Sequence, residues 1–257
     1  KSEDARARRI TAWLDLVDEL VAAQSVALQA EAFEPGTDIT RYFDLLPDSP
    51  LRRDYDAMRA TVDPARREAL QAALRPRAIA GPINANIMTK LDSDQYVGGQ
   101  KRPAEFSSAM AALRGFATST LRSSIVFSAG MNPRLYTYAA QFPDFLPDAA
   151  GGFRKLIALK VSDYRSALIQ GRFLARRGLW VSEFRIESGL NCGGHAFATP
   201  GHLMGPILAQ FRAERAELVE TLHAAYAKAL AERGLTPPAA PLPVGITAQG
   251  GIGTAEE

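Results

Sequence analysis

The 257 residues include one cysteine, Cys192, so no disulfide can form within the chain. That usage fits a reducing compartment, and a cytoplasmic setting is expected. No apolar run approaches the ~20 residues needed to cross a bilayer, and no signal-peptide pattern opens the chain. Charge of a single sign is missing too. The 30 Lys and Arg are interspersed with 28 Asp and Glu, which gives a net charge of +2 and leaves no footprint for nucleic acid. The three histidines and Cys192 offer no pair at zinc-ligand spacing, so no metal site is expected. The chain also lacks a G-x-G-x-x-G leading into a helix and a Gly-Lys-Ser/Thr, which argues against Rossmann and Walker nucleotide sites. What it does have is apolar material. Hydrophobic residues make up 47%, enough to offset chain entropy and exclude disorder as the main state.

The pattern along the chain changes once. Residues 3–34 read as a helix, with Ile10, Trp13, Leu14, Val17, Leu20 and Val21 on one stripe. Glu34-Pro35-Gly36 ends it, and a second helical stretch follows Pro50 to about residue 75. The first 76 residues form a helical region of packing or lid character without recognisable chemistry. From residue 77 short apolar runs alternate with helical stretches. Strands are predicted at 83–90, 124–128, 156–161, 179–187 and 244–248. Helices are predicted at 104–121, from a Ser162 cap to about 177, and at 203–233. Residues 131–151 read as a long connection. The alternation implies a parallel sheet with right-handed crossovers. Lys1 already stands in a helical pattern and Glu257 follows a glycine turn that should open another helix, so the chain is expected to be a piece of a longer protein.

Side chains alternate across a strand. Each predicted strand has one apolar face and one that turns polar toward its carboxyl end. In an open sheet covered on both sides such a pattern would bury several charges. In a parallel (β/α)8 barrel the polar face points inward and lines the mouth, where active sites sit. The expected fold is therefore a TIM-type barrel, incomplete in this chain, over 77–257. Asn86, Ser128, Lys160, Arg185 and Gln249 would surround one polar mouth. Internal ion pairing, for instance Lys160 with Glu187, is the alternative use of the same residues.

Two glycine loops follow strands directly. In Ser188-Gly-Leu-Asn-Cys-Gly-Gly-His195, Gly193 and Gly194 let the backbone approach a planar or phosphorylated ligand. His195 is placed for proton transfer, because imidazole titrates near neutrality. Cys192 reads as a small packing residue, and His223 as an exposed position on a long helix. Gln249-Gly-Gly-Ile-Gly-Thr254 supplies Gln249, Gly250, Gly251 and Gly253 at the position where barrels bind phosphate through backbone N–H groups.

In order, these motifs resemble the nitronate monooxygenase family, formerly 2-nitropropane dioxygenases, which also includes FMN-dependent enoyl reductases. Pro82-Ile-Asn-Ala-Asn86-Ile-Met is similar to the family's Pro-x-Gly-Val-Asn-Leu strand. Ile125 to Gly130 followed by Pro133, and Val161-Ser162 followed by a helix and Gly178, are similar to its next two units. Asn191-Cys-Gly-Gly-His195 resembles its Glu-Ala-Gly-Gly-His loop, and Pro243-Val-Gly-Ile-Thr-Ala-Gln-Gly-Gly-Ile252 its phosphate loop. The resemblance covers roughly 79–253. It implies an FMN-binding barrel in which His195 is the base, Asn86 contacts FMN, and Gly250 and Gly251 hold its phosphate. Asn191-Cys192 stands where the family has Glu-Ala, and the family's opening strands and last strand have no counterpart here. The five strands would be the third to the seventh.

The function implied is that of a flavin-dependent oxidoreductase of monooxygenase type acting on a small molecule. Lys160 would stabilise negative charge on reduced flavin. Two other readings stay open. Lys160 could form a Schiff base with a phosphorylated carbonyl compound, or the chain could bind a phosphate ligand without catalysis.

Overall fold

The computed structural model describes residues 4–88, 92–128, 130–148, 151–187 and 204–249. The chain forms two compact units, Trp13–Pro82 and a second made of residues 1–12 with 83–257. The expected boundary at 76/77 thus lies six residues further on, and the first twelve residues go with the sheet.

The first helix, α1 (Ala5–Ala30), stops short of the expected residue 34. α2 (Asp38–Asp44) was not anticipated; its Ile39 and Phe43 are fully buried in the small helical core. The stretch expected as one helix over 50–75 is two, α3 (Pro50–Ala60) and α4 (Pro64–Leu74). Pro64 explains the break, since the residue before a proline is driven out of the helical region and Asp63 has ψ 119°. Each proline then occupies the first position of its helix, behind a cap: Ser49 Oγ accepts from Arg52 N and Asp63 from Ala65 N. Phe43 and Tyr55 stack at 5.1 Å inside this unit, packed with Met58 and Leu74.

The sheet unit contains β1 (Ala85–Ile87), a small hairpin of β2 (Tyr96–Val97) and β3 (Gln100–Lys101), then α5 (Ser108–Ala117), β4 (Ser123–Phe127), α6 (Pro133–Ala139), β5 (Lys155–Val161), α7 (Tyr164–Ala175), β6 (Val181–Glu187), α8 (Met204–Glu232) and β7 (Gly245–Gln249). The hairpin turns on Gly98 and Gly99, both at positive φ (57° and 82°), as a two-residue turn of matching twist requires. β1, β4, β5, β6 and β7 form one five-stranded sheet in that spatial order, and every pairing is parallel. Each new strand is added on the same side of the last. α7 is capped by Asp163, whose carboxylate accepts from Ser166 N at 2.7 Å, rather than by the expected Ser162. Gly178 ends the following turn at φ 71°. The connection expected over 131–151 contains α6, capped by Asn132.

The connecting helices pack on one face of the sheet. Phe127 meets Tyr136 of α6 at 5.0 Å between ring centroids. Phe184 lies under Gly171 of α7, where an added methyl would sit 3.1 Å from its ring and 3.0 Å from Leu222 of α8. Lys155, on the same face, reaches α5: its Nζ lies 4.6 Å from the Phe116 ring centroid and donates to Ser119 O at 2.9 Å and also to Leu121 O. Phe127, Leu159 and Phe184 form a register row that is 2% exposed or less. Pairing between β5 and β6 shifts at Ile157/Ala158: Ile157 faces Val181 and Ala158 faces Glu183, so Ser182 is an extra residue in β6. Its hydroxyl donates to Ile157 O at 2.9 Å.

The start of α1 docks on α5. Thr11 Oγ1 donates to Gly115 O at 2.9 Å, and a methyl on Gly115 would come within 2.8 Å of Ala7 O and Ile10. Gly115→Ala should therefore lower stability by about 1–3 kcal/mol, although alanine favours a helix over glycine by ~1 kcal/mol. Urea unfolding measures this; unchanged or higher stability would show that α1 does not dock on α5 this closely.

Candidate functional site

The strand faces opposite the helices carry the polar side chains, and the register arranges them in rows. One row is Asn86, Val126, Ala158, Glu183 and Gly245; the next, toward the carboxyl ends, is Lys160, Arg185 and Thr247; the last is Glu187 and Gln249. The apolar members Val126 and Ala158 are buried at the centre of the first row. Ser128, just past β4, donates its hydroxyl to Asn86 Oδ1 at 2.6 Å. That leaves the Asn86 amide N–H groups to donate elsewhere.

Two ion pairs occupy the middle of this face. Lys160 Nζ donates to Glu187 Oε1 at 2.8 Å, with the two side chains only 6% and 14% exposed. Arg185 bends back along its own strand: Nε donates to Glu183 Oε1 at 2.9 Å and Nη2 to Oε2 at 3.2 Å. Thr247 Oγ1 donates to the same Glu183 Oε1 at 2.6 Å. Burial pushes the Glu183 carboxyl up, but the Arg185 hydrogen bonds, the Thr247 hydroxyl and the Arg185 charge together hold it below its ordinary value.

These pairs cancel. Lys160 and Arg185 are balanced by Glu187 and Glu183, so the described part of the face has no net charge from them. Such a surface does not concentrate a phosphate. It suits an uncharged ring whose edge offers both acceptors and donors. A buried ion pair is also poor at stabilising a fold compared with apolar residues of the same volume. A second buried lysine shows the contrast. Lys155 is 1% exposed and lies on the helix side, where its ammonium closes the carbonyl end of α5. That is a structural role, whereas the Lys160 ammonium on the opposite face is engaged by Glu187.

The structure thus places Asn86, Ser128, Lys160, Arg185 and Gln249 on one face, and it contains the Lys160–Glu187 pair named as their alternative use. Asn86 and Gln249 belong to opposite edge strands, four strand spacings apart, or ~19 Å along a flat sheet. His195, Gly193, Gly194, Gly250, Gly251 and Gly253, together with Cys192, lie outside the described residues. Glu183, Glu187 and Thr247 belong to the site but were not picked out as binding residues. The visible signal was the Glu-x-Arg-x-Glu alternation of 183–187 in an otherwise apolar strand. His223 is half-buried rather than exposed, and its Nδ1 has no hydrogen-bond partner among the described residues. Among the described residues no group of acids, histidines and cysteine could hold a metal ion. No described helix is long and apolar enough to cross a membrane. A cavity of about 700 Å³ lined by Met110, Pro133, Thr137 and Tyr138 lies among the outer helices and includes none of the polar face.

Comparison with protein families, with curated proteins and with solved structures finds no match.

Because Glu183 is held low, its share of stability is complete above its unfolded value near 4.5 and is lost as pH falls through the lower folded value. The Glu183→Gln variant should lack that part of the acid slope. Identical unfolding free energies against pH for the two proteins would mean that the Arg185 and Thr247 contacts do not act on Glu183 in solution.

Proposed function

We propose that the chain is part of an FMN-dependent oxidoreductase of nitronate monooxygenase type, and that its five strands are consecutive strands of a (β/α)8 barrel. One observation carries this reading: a sequentially ordered parallel sheet with its helices on the apolar face and a charge-balanced polar face at its carboxyl ends. Sequential parallel order with right-handed crossovers is how barrel strands succeed one another. Curling such a sheet shortens the path between Asn86 and Gln249, so closure and a shared ligand belong to the same hypothesis.

The described residues fit a flavin ring. Its pyrimidine portion presents acceptors and an N–H. Asn86 and Lys160 offer donors, and Glu187 and Gln249 offer acceptors. The neutral balance of the face leaves the phosphate to the glycine turn at Gly250 and Gly251. Bound FMN would supply the redox chemistry, and the protein would supply position and electrostatics. In this proposal Asn86 and Lys160 orient the ring edge, and Glu187 fixes the Lys160 ammonium. His195 removes an acidic C–H proton from the substrate.

The Schiff-base reading is second. Lys160 is buried near the carboxyl end of a central strand, as such a nucleophile would be, but its amine is engaged by Glu187 at 2.8 Å. Borohydride trapping of a keto substrate, abolished by Lys160→Ala, would favour it.

The purified full-length protein should be yellow and should release FMN on denaturation. A colourless protein that takes up no added FMN would overturn the proposal. Lys160→Met alone should cost about 3–5 kcal/mol, because it leaves the Glu187 carboxylate buried without this cation. The Lys160→Met/Glu187→Leu double variant should return to within about 1–2 kcal/mol of the parent yet bind FMN at least ~10-fold more weakly. Unchanged FMN affinity in a well-folded double variant would remove Lys160 and Glu187 from the site.

A further inference from the structure

The first helix buries one side and leaves another, largely apolar one in solvent. Arg9, Trp13, Leu16, Leu20, Ala23 and Ala27 of α1 are all exposed, and they recur at alternating steps of four and three residues. That spacing keeps side chains along one seam of a helix and is the repeat with which two helices interlock. Trp13 and Leu20 belong to the apolar stripe read from the sequence, yet they are 64% and 53% exposed, and Leu16 between them is 45% exposed. From Ala12 to Ala30 the exposed polar residues of α1 are Glu19 and Gln24 alone. A continuous apolar face of this length marks an interaction surface.

The seam is graded in size. Trp13, Leu16 and Leu20 are its large members, and Ala23 and Ala27 its small ones. Beside the small end, Gln24 and Ala27 border a concavity of about 590 Å³ that also takes in Tyr42 and Ile79. The segment carrying Ile79 is held there: its backbone N–H donates to the Tyr42 hydroxyl at 3.3 Å, and Gln29 Nε2 donates to Ala78 O at 2.9 Å. Ile79 is itself exposed, so the concavity has an apolar wall open to a partner. One helix thus carries a projecting indole and, about three turns further on, a hollow that would admit one.

Charge selects the orientation. Residues 5–12 hold three arginines and no acid, and residues 13–34 hold five acids and no base. Two parallel copies would set like charges side by side, which repel. Two antiparallel copies set the basic end of each beside the acidic length of the other.

We infer that α1 is a self-association surface, on which a second copy of this chain packs its own α1 in antiparallel orientation. Trp13 of each copy fills the hollow beside Ala23 and Ala27 of the other, as a buried aromatic anchor does. Leu16 and Leu20 of both copies meet around the two-fold axis. The inference does not rest on the flavin reading.

Sedimentation equilibrium of the full chain over a range of concentrations tests it. Monomer and dimer should interconvert, and Trp13→Ala and Ala27→Glu should each weaken the dimer by roughly 10-fold or more. Both positions are exposed, so neither substitution should change the melting curve of the monomer. A short thiol cross-linker in a Cys192→Ser background reads the orientation. Leu20→Cys should link to itself across the axis, whereas Ala27→Cys, ~20 Å or more from its symmetry mate along the seam, should not. A chain that stays monomeric, a dimer untouched by both substitutions, or self-linking of Ala27→Cys would overturn the inference. A monomer whose Trp13 resists acrylamide quenching, with Trp13→Phe used to subtract Trp180, would overturn it and assign the face to packing within the chain.

Discussion

Phe127, Leu159 and Phe184 lie side by side across three adjacent strands, and the rest of the sheet unit is organised to keep that row dry. A strand has only two faces. Once one is filled by large apolar groups under helices, every other residue must point the opposite way. The sequential strand order puts the connecting helices on the same side, so the second face is not needed for helix packing. Polar residues can collect there because the hydrophobic requirement has been met elsewhere. Gly171 lets α7 come close enough to cover the row, and Lys155 closes the end of α5 above it.

Charge on the second face is managed in pairs. Fully isolated, Lys160 and Glu187 would each be expensive to hold so far from water. Together they are tolerable, and they give the face a fixed polarity without a net field. Glu183 is treated differently. It has three hydrogen bonds, from the two Arg185 nitrogens and Thr247, which make it a rigid anion rather than a proton carrier. Any proton transfer at this face has to come from another group, and His195 is the residue proposed for it.

The parts of this architecture legible in the sequence were those governed by period. Alternation in β1, β5, β6 and β7 marked which side chains share a face, and the glycines at 178 and 234 marked where helices stop. What escaped was governed by contacts distant along the chain or by competition among near-equal local choices. α2 and α6 are seven residues each, too short to show a period. Ser162 and Asp163 were both good caps, and only the structure shows that the carboxylate of Asp163 takes the role. The Asp63-Pro64 step is a break that the sequence itself carries, because the residue before a proline is driven out of the helical region. For the site, the sequence named Lys160 and Arg185 and offered Glu187 as a partner for Lys160, but it could not say which acid Arg185 would take. Arg185 has a glutamate two residues away on either side and bends toward only one.

The extra residue in β6 carries more weight than its size suggests. Val181 is anchored opposite Ile157, and one unpaired serine later the strand resumes with Glu183 opposite Ala158. Were Ser182 itself paired with Ala158 while that anchor held, Glu183 would fall opposite Leu159, and Glu183, Arg185 and Glu187 would rotate into the greasy layer beneath α7, while Phe184 and Ile186 would emerge among the polar groups. A single inserted hydroxymethyl-bearing unit, satisfied locally through Ile157 O, therefore sets the phase of the whole strand. It decides whether three ionisable groups meet a ligand or a hydrocarbon wall.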